Sequence, residues 1–73
     1  MELATFVQKF SECFAPQTAQ QIKSDTPFRQ LEEWNSMMAL IIISMVDSDF
    51  GKVLSADDIR TSVTVEDLFH KLS

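Results

Sequence analysis

Apolar residues near the start of the chain recur with the spacing of one helical face. They are Leu3, Phe6, Val7, Phe10 and Phe14. This spacing predicts an amphipathic helix over residues 2–14. The residue before a proline is disfavoured in the helical region, so the helix should end at or before Ala15, next to Pro16.

Residues 17–35 are mostly polar, and their few apolar residues are isolated. Asp25-Thr26-Pro27 supplies turn chemistry near the middle of this stretch. We expect a long loop that a few side chains anchor to the core, because long loops without anchors are uncommon in small domains. The expected anchors are Ile22, Phe28 and Leu31. A short helical turn within residues 17–23 is the open alternative.

A second helix is predicted at mid-chain. Asn35 and Ser36 are both strong N-cap residues, and they stand directly before a run of apolar residues and good helix formers that reaches Asp49. Gly51, the single glycine of the sequence, lies where a left-handed C-terminal cap is needed. Residues 37–43 leave no polar face on the first two turns, so this helix must be buried or in contact with something else.

Two more helices are predicted in the C-terminal third of the chain. Ser55 is an N-cap with acids in the turn that follows, which predicts a short third helix over residues 56–60. Thr64 repeats this pattern and starts a fourth helix. The expected inner face of that helix consists of Val65, Leu68, Phe69 and Leu72. The fold is expected to be all-α, with four helices, a long loop between helices 1 and 2, and a short third helix.

Size and charge disfavour several classes of function. The sequence of 73 residues is long enough for one domain, residues 1–73, and leaves little room for a substrate cavity walled on all sides. A binding or carrying role is therefore favoured over an enzyme. Eleven acidic residues against six basic ones give a net charge of -5, which opposes binding to nucleic acid and to anionic membranes.

The protein is expected to be cytoplasmic. Cys13 is the single cysteine of the sequence, so no internal disulfide is possible. The N-terminus lacks the basic start of a secretory signal. The longest apolar run, which starts at Met37, is about half of the roughly 20 residues that cross a bilayer. We expect no membrane span and a monomeric protein.

Three short motifs lie between Glu33 and Val65. The first of them, Glu33-Trp34-Asn35-Ser36-Met37, is similar to the Asp-Ser-Leu attachment motif of the acyl carrier protein family. Phe50-Gly51 with Val53-Leu54-Ser55 resembles the pattern that closes the family's second helix, and Thr64-Val65 resembles the pair that starts its last helix. The resemblance covers essentially the whole chain. It is closest to short stand-alone carriers with a tryptophan two residues before the serine, which serve specialised-metabolite or surface-polysaccharide pathways.

The resemblance implies an acyl-carrier-like bundle in which Ser36 carries a 4'-phosphopantetheine arm. A phosphopantetheinyl transferase would attach this arm from coenzyme A. The arm would hold acyl or aminoacyl thioesters for loading and acyl-transfer enzymes, and the chain itself would not be an enzyme. A serine at a helix N-terminus also suits a phosphodiester, because the unpaired N–H groups and the positive end of the helix dipole stabilise an anion. An ordinary N-cap is the alternative for Ser36.

The sequence departs from the family pattern at two places. Asn35 stands where the family has an aspartate, and it lacks the negative charge that the transferases meet beside their magnesium ion. Modification is therefore expected to be slower or selective. The second helix lacks the acids that the family displays to basic partners, so we expect partners with an apolar surface.

The expected partner-facing residues are Trp34, Asn35, Met37, Met38 and Ile41. The residues expected to face the core and any sequestered acyl chain are Leu40, Ile43, and Val46 or Ile42. A tighter core or a homodimer through this helix stays open. A non-covalent helical interaction module, derived from a carrier domain, is the alternative function.

The remaining candidate sites have simpler interpretations. Asp47, Asp49 and Gly51 hint at a calcium loop, but its third acid, glycine spacing and distal glutamate are missing, and we expect no metal site. His70 is expected to be a solvated residue of the last helix. Cys13 is expected to be a small buried side chain. Trp34 is either a guide for a partner or the arm, or a lid over the loop.

Overall fold

The chain is described by a computed structural model from residue 2 to residue 72. Its elements are α1 (Leu3–Ser11), α2 (Pro16–Ala19), a 3-10 turn (Phe28–Gln30), α3 (Ser36–Met45), a π-helical segment (Val46–Phe50), α4 (Ala56–Arg60) and α5 (Val65–Leu72). Residues 2–72 contain no strand, and Pro27 and Thr64 form an isolated bridge. The expected all-α class is confirmed for this part of the chain.

α1 follows the predicted apolar spacing. Phe6 and Phe10 lie one turn apart and are completely buried. The helix ends at Ser11, earlier than predicted, and Phe14 reaches the core from the turn that follows. Pro16 lies at the start of α2, because its fixed φ suits the first turn of a helix. The predicted long loop therefore contains α2, close to the alternative helical turn, and also the 3-10 turn.

α3 begins where the sequence predicts it, but it ends at Met45, and the π-helical segment continues the helix to Phe50, close to the predicted end at Asp49. Asn35 is its N-cap, and Gly51 adopts a left-handed φ of 64° after the π-helical segment. Met38, Ile42 and Val46 recur every four residues and form a buried row along one side of the helix. This row sets the orientation of α3 and of the π-helical segment against the core.

Local side-chain hydrogen bonds fix the starts of α4 and α5. Ser55 Oγ accepts the N–H of Asp58 at 3.0 Å, and the carboxylate of Asp58 accepts the N–H of Ser55 at 3.1 Å. Asp67 Oδ2 accepts the N–H groups of Val63 and Thr64, both at 3.0 Å. Both helices therefore start where the sequence predicts them, because their caps are built from nearby residues.

Phenylalanine rings form the centre of the core. The ring centroid of Phe6 lies 5.9 Å from those of Phe50 and Phe69, which joins α1 to the π-helical segment and to α5. Phe28 meets Phe10 edge-on at 5.8 Å and so fastens the long connection to α1. Ile22 is also buried and Leu31 is partly buried, so the expected anchors are confirmed.

α3 is the most apolar helix and is short. It has 10 residues, about half of the roughly 20 that a membrane-spanning helix needs. Within residues 2–72, no helix combines the length and the apolar character required to cross a bilayer.

Candidate functional site

The chain that leads into α3 is held against the core. Glu33 Oε2 accepts the backbone N–H of Ala15 at 3.2 Å, directly before α2. The ring of Trp34 lies 5.0 Å from that of Phe28, edge-on, and stacks beside Phe14 at 6.5 Å. These contacts link the segment before α3 to the turn between α1 and α2 and to the 3-10 turn. The first turn of α3 is therefore held in place by contacts outside the helix as well as by the hydrogen bonds of the helix itself.

Asn35 and Ser36 have different structural positions. Asn35 is extended, and its Oδ1 accepts the backbone N–H of Met38 at 2.9 Å, which makes it the N-cap. Ser36 is the first residue of α3 and is exposed. Its hydroxyl makes no hydrogen bond to any residue between 2 and 72. The alternative that Ser36 is an ordinary N-cap is therefore wrong, because Asn35 takes that position.

The electrostatics at the start of α3 suit an anion. The first turn of α3 contains no acidic residue, and its cap is a neutral amide. The positive end of the helix dipole is therefore not compensated by a carboxylate of this turn. A phosphodiester on Ser36 would lie beside the first N–H groups of the helix and this partial positive charge. The residues present at this position thus fit an attached phosphate group.

Apolar side chains are exposed next to Ser36. Met37 is 66% exposed, Leu40 is 64% exposed and Ile41 is 38% exposed, and they share the outer side of α3. Val53 is 85% exposed and lies across a shallow groove from Leu40. We call these four residues the outer apolar face. It begins directly after Ser36, and its members on α3 lie within the first two turns of the helix.

Two expected orientations on α3 are wrong. Met38 was expected to face partners, but it is only 8% exposed. Leu40 was expected to face the core, but it belongs to the outer apolar face. The cause is the rotation of the helix about its own axis, which is set by the complete burial of Ile42 and Val46. Met38 lies one turn before Ile42 and therefore points inward, whereas Leu40 lies on the other side.

A groove of about 270 Å³ separates α3 from the chain after the π-helical segment. Leu40 and Ile43 form its helix side, and Val53 and Leu54 form its other side. Asp47 and Lys52 also line it. The groove is open and mainly apolar, and it starts about one helical turn from Ser36. The sequence prediction did not include Val53 in an exposed apolar surface. The signal in the sequence is an apolar residue two positions after the capping glycine, Gly51.

Trp34 and Cys13 lie at the edge of the core. Trp34 is half-buried and packs against Phe14 and Phe28. Burial raises the pKa of the Cys13 thiol, with Asp49 and Glu12 adding to the effect, so the thiol is less reactive than a free cysteine.

His70 and the acidic residues near the end of the second predicted helix are two further candidate sites in the sequence. His70 is exposed, and its Nε2 lies 3.5 Å from a carboxylate oxygen of Glu66 on the same helix. Among residues 2–72, no three histidine, cysteine, aspartate or glutamate residues are grouped so that they could hold a metal ion. The start of α3 therefore remains the candidate site.

Known proteins give no further guide to the site. Comparison of the chain with protein families, with curated proteins and with solved structures found no match. The functional argument therefore rests on the residues of this chain and on their arrangement.

Proposed function

We propose that this chain is a carrier protein of the acyl or peptidyl carrier type, with Ser36 as the attachment point of a 4'-phosphopantetheine arm. One observation carries the proposal: Ser36 opens α3 with an exposed hydroxyl, because Asn35 supplies the cap. A serine that only stabilised the helix would use its hydroxyl as Asn35 uses its amide oxygen. The hydroxyl of Ser36 makes no such hydrogen bond within residues 2–72.

The arrangement of the helices supports this proposal. α1, α3, α4 and α5 would be the four helices of a carrier bundle, with α2 and the 3-10 turn inside its long first loop. α4 is the short third helix of such a bundle. The contacts of Glu33 and Trp34 hold that loop against the core close to Ser36. The attachment point would then sit on a fixed base, while the arm attached to it moves.

Attachment requires Ser36 to act as a nucleophile. Its Oγ forms a bond to the phosphorus of the phosphopantetheine part of coenzyme A, the bond from that phosphorus to the remaining nucleotide breaks, and adenosine 3',5'-bisphosphate leaves. The hydroxyl proton is taken up by the transferase, since no histidine or carboxylate of this chain forms a hydrogen bond to Ser36 within residues 2–72. Catalysis thus belongs to the transferase.

The chain would then serve as a delivery protein. When bound, the arm supplies a terminal thiol that can hold an acyl or aminoacyl group as a thioester. The chain contributes a fixed anchor at Ser36, and the arm raises the local concentration of cargo at each partner enzyme. We propose that the partners are a phosphopantetheinyl transferase and the enzymes that load and accept the cargo, and that the chain itself is not an enzyme.

Intact-mass spectrometry tests this function. The purified protein is incubated with coenzyme A, Mg²⁺ and a broad-range phosphopantetheinyl transferase, in parallel with the variants Ser36→Ala and Ser44→Ala. Ser44 is the matched control, because it is an exposed serine of the same helix. We expect wild type and Ser44→Ala to gain one phosphopantetheine and Ser36→Ala to gain none. No gain by wild type with several transferases would contradict the proposal.

A non-covalent interaction module is the second candidate. The outer apolar face favours it, because clustered exposed apolar residues suit the binding of another protein without any modification. Asn35 in place of an acid is a further observation in its favour. The module predicts no mass gain in the experiment above and a binding function that survives the Ser36→Ala substitution.

A further inference from the structure

Two consecutive residues before α3 contact two consecutive residues before α2. The carboxylate of Glu33 accepts the backbone N–H of Ala15 at 3.2 Å, and the ring of Trp34 stacks beside that of Phe14. The hydrogen bond spans 18 positions of the sequence and is partly buried, so water competes for it less than at an exposed site. We call this pair of contacts the entry clamp, because it holds the chain that enters α3.

The backbone N–H of Ala15 has no acceptor in its own helix. Ala15 is the N-cap of α2, and its carbonyl accepts the N–H groups of Thr18 and Ala19, whereas its N–H lies before the first turn. Ala15 is also extended, as expected for a residue before a proline, and Pro16 restricts the backbone further. Glu33 thus binds a donor that the local chain holds in a defined place.

A tight turn brings the carboxylate of Glu33 to this donor. The N–H of Trp34 donates to the carbonyl of Leu31 at 3.0 Å, and both of these side chains pack against the core. Glu32 lies in the same turn but is exposed, with no hydrogen bond or ion pair to any residue between 2 and 72. Two adjacent acids of equal charge therefore differ in their contacts, and Glu33 is the one that joins the turn to α2.

The entry clamp acts where the cap of α3 cannot. Asn35 bonds the N–H of Met38, so this cap keeps the first turn helical without fixing where the chain before it lies. Met38 is the first buried residue of α3. The core therefore holds the helix from Met38 onward, and the entry clamp holds the chain up to Trp34. Ser36 lies between these two points.

We propose that Glu33 is a positioning residue for the transfer of phosphopantetheine to Ser36, and that it acts through its hydrogen bond to Ala15. The inference rests on the proposed carrier function. Without the bond, the segment before α3 moves among several positions, and a smaller fraction of molecules presents the hydroxyl where the transferase must meet it. The apparent affinity falls with that fraction, while a bound molecule reacts as before. KM of transfer therefore rises and kcat stays.

Two substitutions of Glu33 separate the hydrogen bond from the charge. Glu33→Gln keeps the length and an acceptor oxygen but removes the charge, whereas Glu33→Asp keeps the charge but is one methylene shorter. Glu32→Gln and Glu32→Asp are the matched controls, because Glu32 is an exposed neighbour of the same charge. Circular dichroism and thermal unfolding verify that each variant folds.

Transfer kinetics and amide exchange give the expected results. A hydrogen bond to a charged acceptor shifts the equilibrium between held and released chain by about tenfold, and part of this shift has no effect while the held form predominates. We expect Glu33→Asp to raise KM about threefold or more with kcat unchanged. Glu33→Gln and both Glu32 variants should change KM by less than about twofold.

Hydrogen exchange of the Ala15 N–H, followed by NMR, measures the bond without the transferase. The exchange should be about threefold or more faster in Glu33→Asp than in wild type, and less than about twofold faster in Glu33→Gln. A change in exchange that parallels the change in KM would link the bond to the presentation of Ser36.

Several outcomes would overturn the inference. A larger KM effect for Glu33→Gln than for Glu33→Asp would show that the transferase reads the charge. Equal effects at Glu32 would show a general effect, and a fall in kcat at constant KM would place Glu33 at the reacting groups. Wild type that gains mass while Glu33→Asp keeps its KM would overturn the positioning role alone. Wild type that gains no mass would overturn the carrier function together with this role.

Discussion

The side-chain oxygen of Asn35 accepts a hydrogen bond from the backbone N–H of Met38 at 2.9 Å. This bond satisfies one of the N–H groups that α3 leaves without a partner at its start. Since Asn35 makes the bond, the hydroxyl of Ser36 is not used for helix stability. Two adjacent polar residues thus have separate roles, and each role can be tested by substitution.

The first prediction concerns the stability contributed by these two residues. Asn35→Ala removes the cap and should lower the free energy of unfolding by about 1 kcal/mol. Ser36→Ala should change it by less than about 0.5 kcal/mol, because the exposed residue's hydroxyl has no hydrogen-bond partner within residues 2–72 to lose. Urea denaturation followed by circular dichroism measures both. A loss for Ser36→Ala as large as that for Asn35→Ala would show that the serine is a cap after all.

The second prediction concerns Asn35, the cap residue of α3. Asn35→Asp keeps a side-chain oxygen for the N–H of Met38 and adds a negative charge at the start of α3. The charge should stabilise the helix by roughly 0.3–1 kcal/mol. Under the proposed function it should also raise the rate of phosphopantetheine transfer to Ser36, because the resemblance implies that the transferase meets this charge beside its magnesium ion. Transfer kinetics and urea denaturation measure the two effects. A variant that is more stable but is modified no faster would show that Asn35 is not what limits modification.

The third prediction uses two residues on opposite sides of α3. Ile42 is completely buried, and Ile42→Ala should cost about 2–5 kcal/mol of stability. Leu40 is largely exposed, and Leu40→Ala should cost less than about 1 kcal/mol. Both substitutions remove a similar volume from the same helix, so their difference reports burial. Similar losses for the two variants would mean that Leu40 packs in the core.

The positions of the helices could be predicted from the sequence because their signals are local. Ser55 and Asp58 form a reciprocal cap within one turn, and Gly51 supplies the left-handed residue that closes the π-helical segment. A motif of this kind contains both of its partners within a few positions. The predicted span of α4 accordingly agrees with the structure. Pro16 follows α1 and also begins α2. The prediction used this proline only as the signal that ends α1.

The orientation of α3 could not be predicted in the same way. Amphipathic spacing identifies the buried side of α1, but residues 37–43 of α3 are apolar on every side and carry no such contrast. The buried row from Met38 to Val46 is selected by its fit against the other helices, which is a property of the tertiary structure. The position of Ser36 was therefore predictable, whereas the outward orientation of Leu40 and the contribution of Val53 were not.

The fourth prediction concerns the pH dependence of stability. Hydrogen bonds from the backbone N–H groups of Thr64 and Val63 hold the pKa of the Asp67 carboxyl below its ordinary value. The folded state therefore favours the charged form, so Asp67 stabilises the fold above the carboxyl pKa of the unfolded chain, about 3.9. This contribution is lost as the pH falls through the lower pKa of the folded state.

Urea denaturation of wild type and of Asp67→Asn measures this effect. Wild type should be the more stable protein at about pH 7, and the difference should shrink at about pH 3. All other titrating groups are the same in both proteins, so their contributions cancel to a first approximation. A difference that stays constant over this range would show that the charge of Asp67 does not contribute.

The most direct measurement of the central claim is the location of the added group. Tryptic cleavage after Arg29 and Lys52 releases residues 30–52, a peptide that contains Ser36, Ser44 and Ser48. After incubation with coenzyme A, Mg²⁺ and the transferase, fragmentation of this peptide in a mass spectrometer assigns the phosphopantetheine to one serine. The account predicts that it is carried by Ser36. A group carried by Ser44 or Ser48, or a peptide without any added group, would contradict the account.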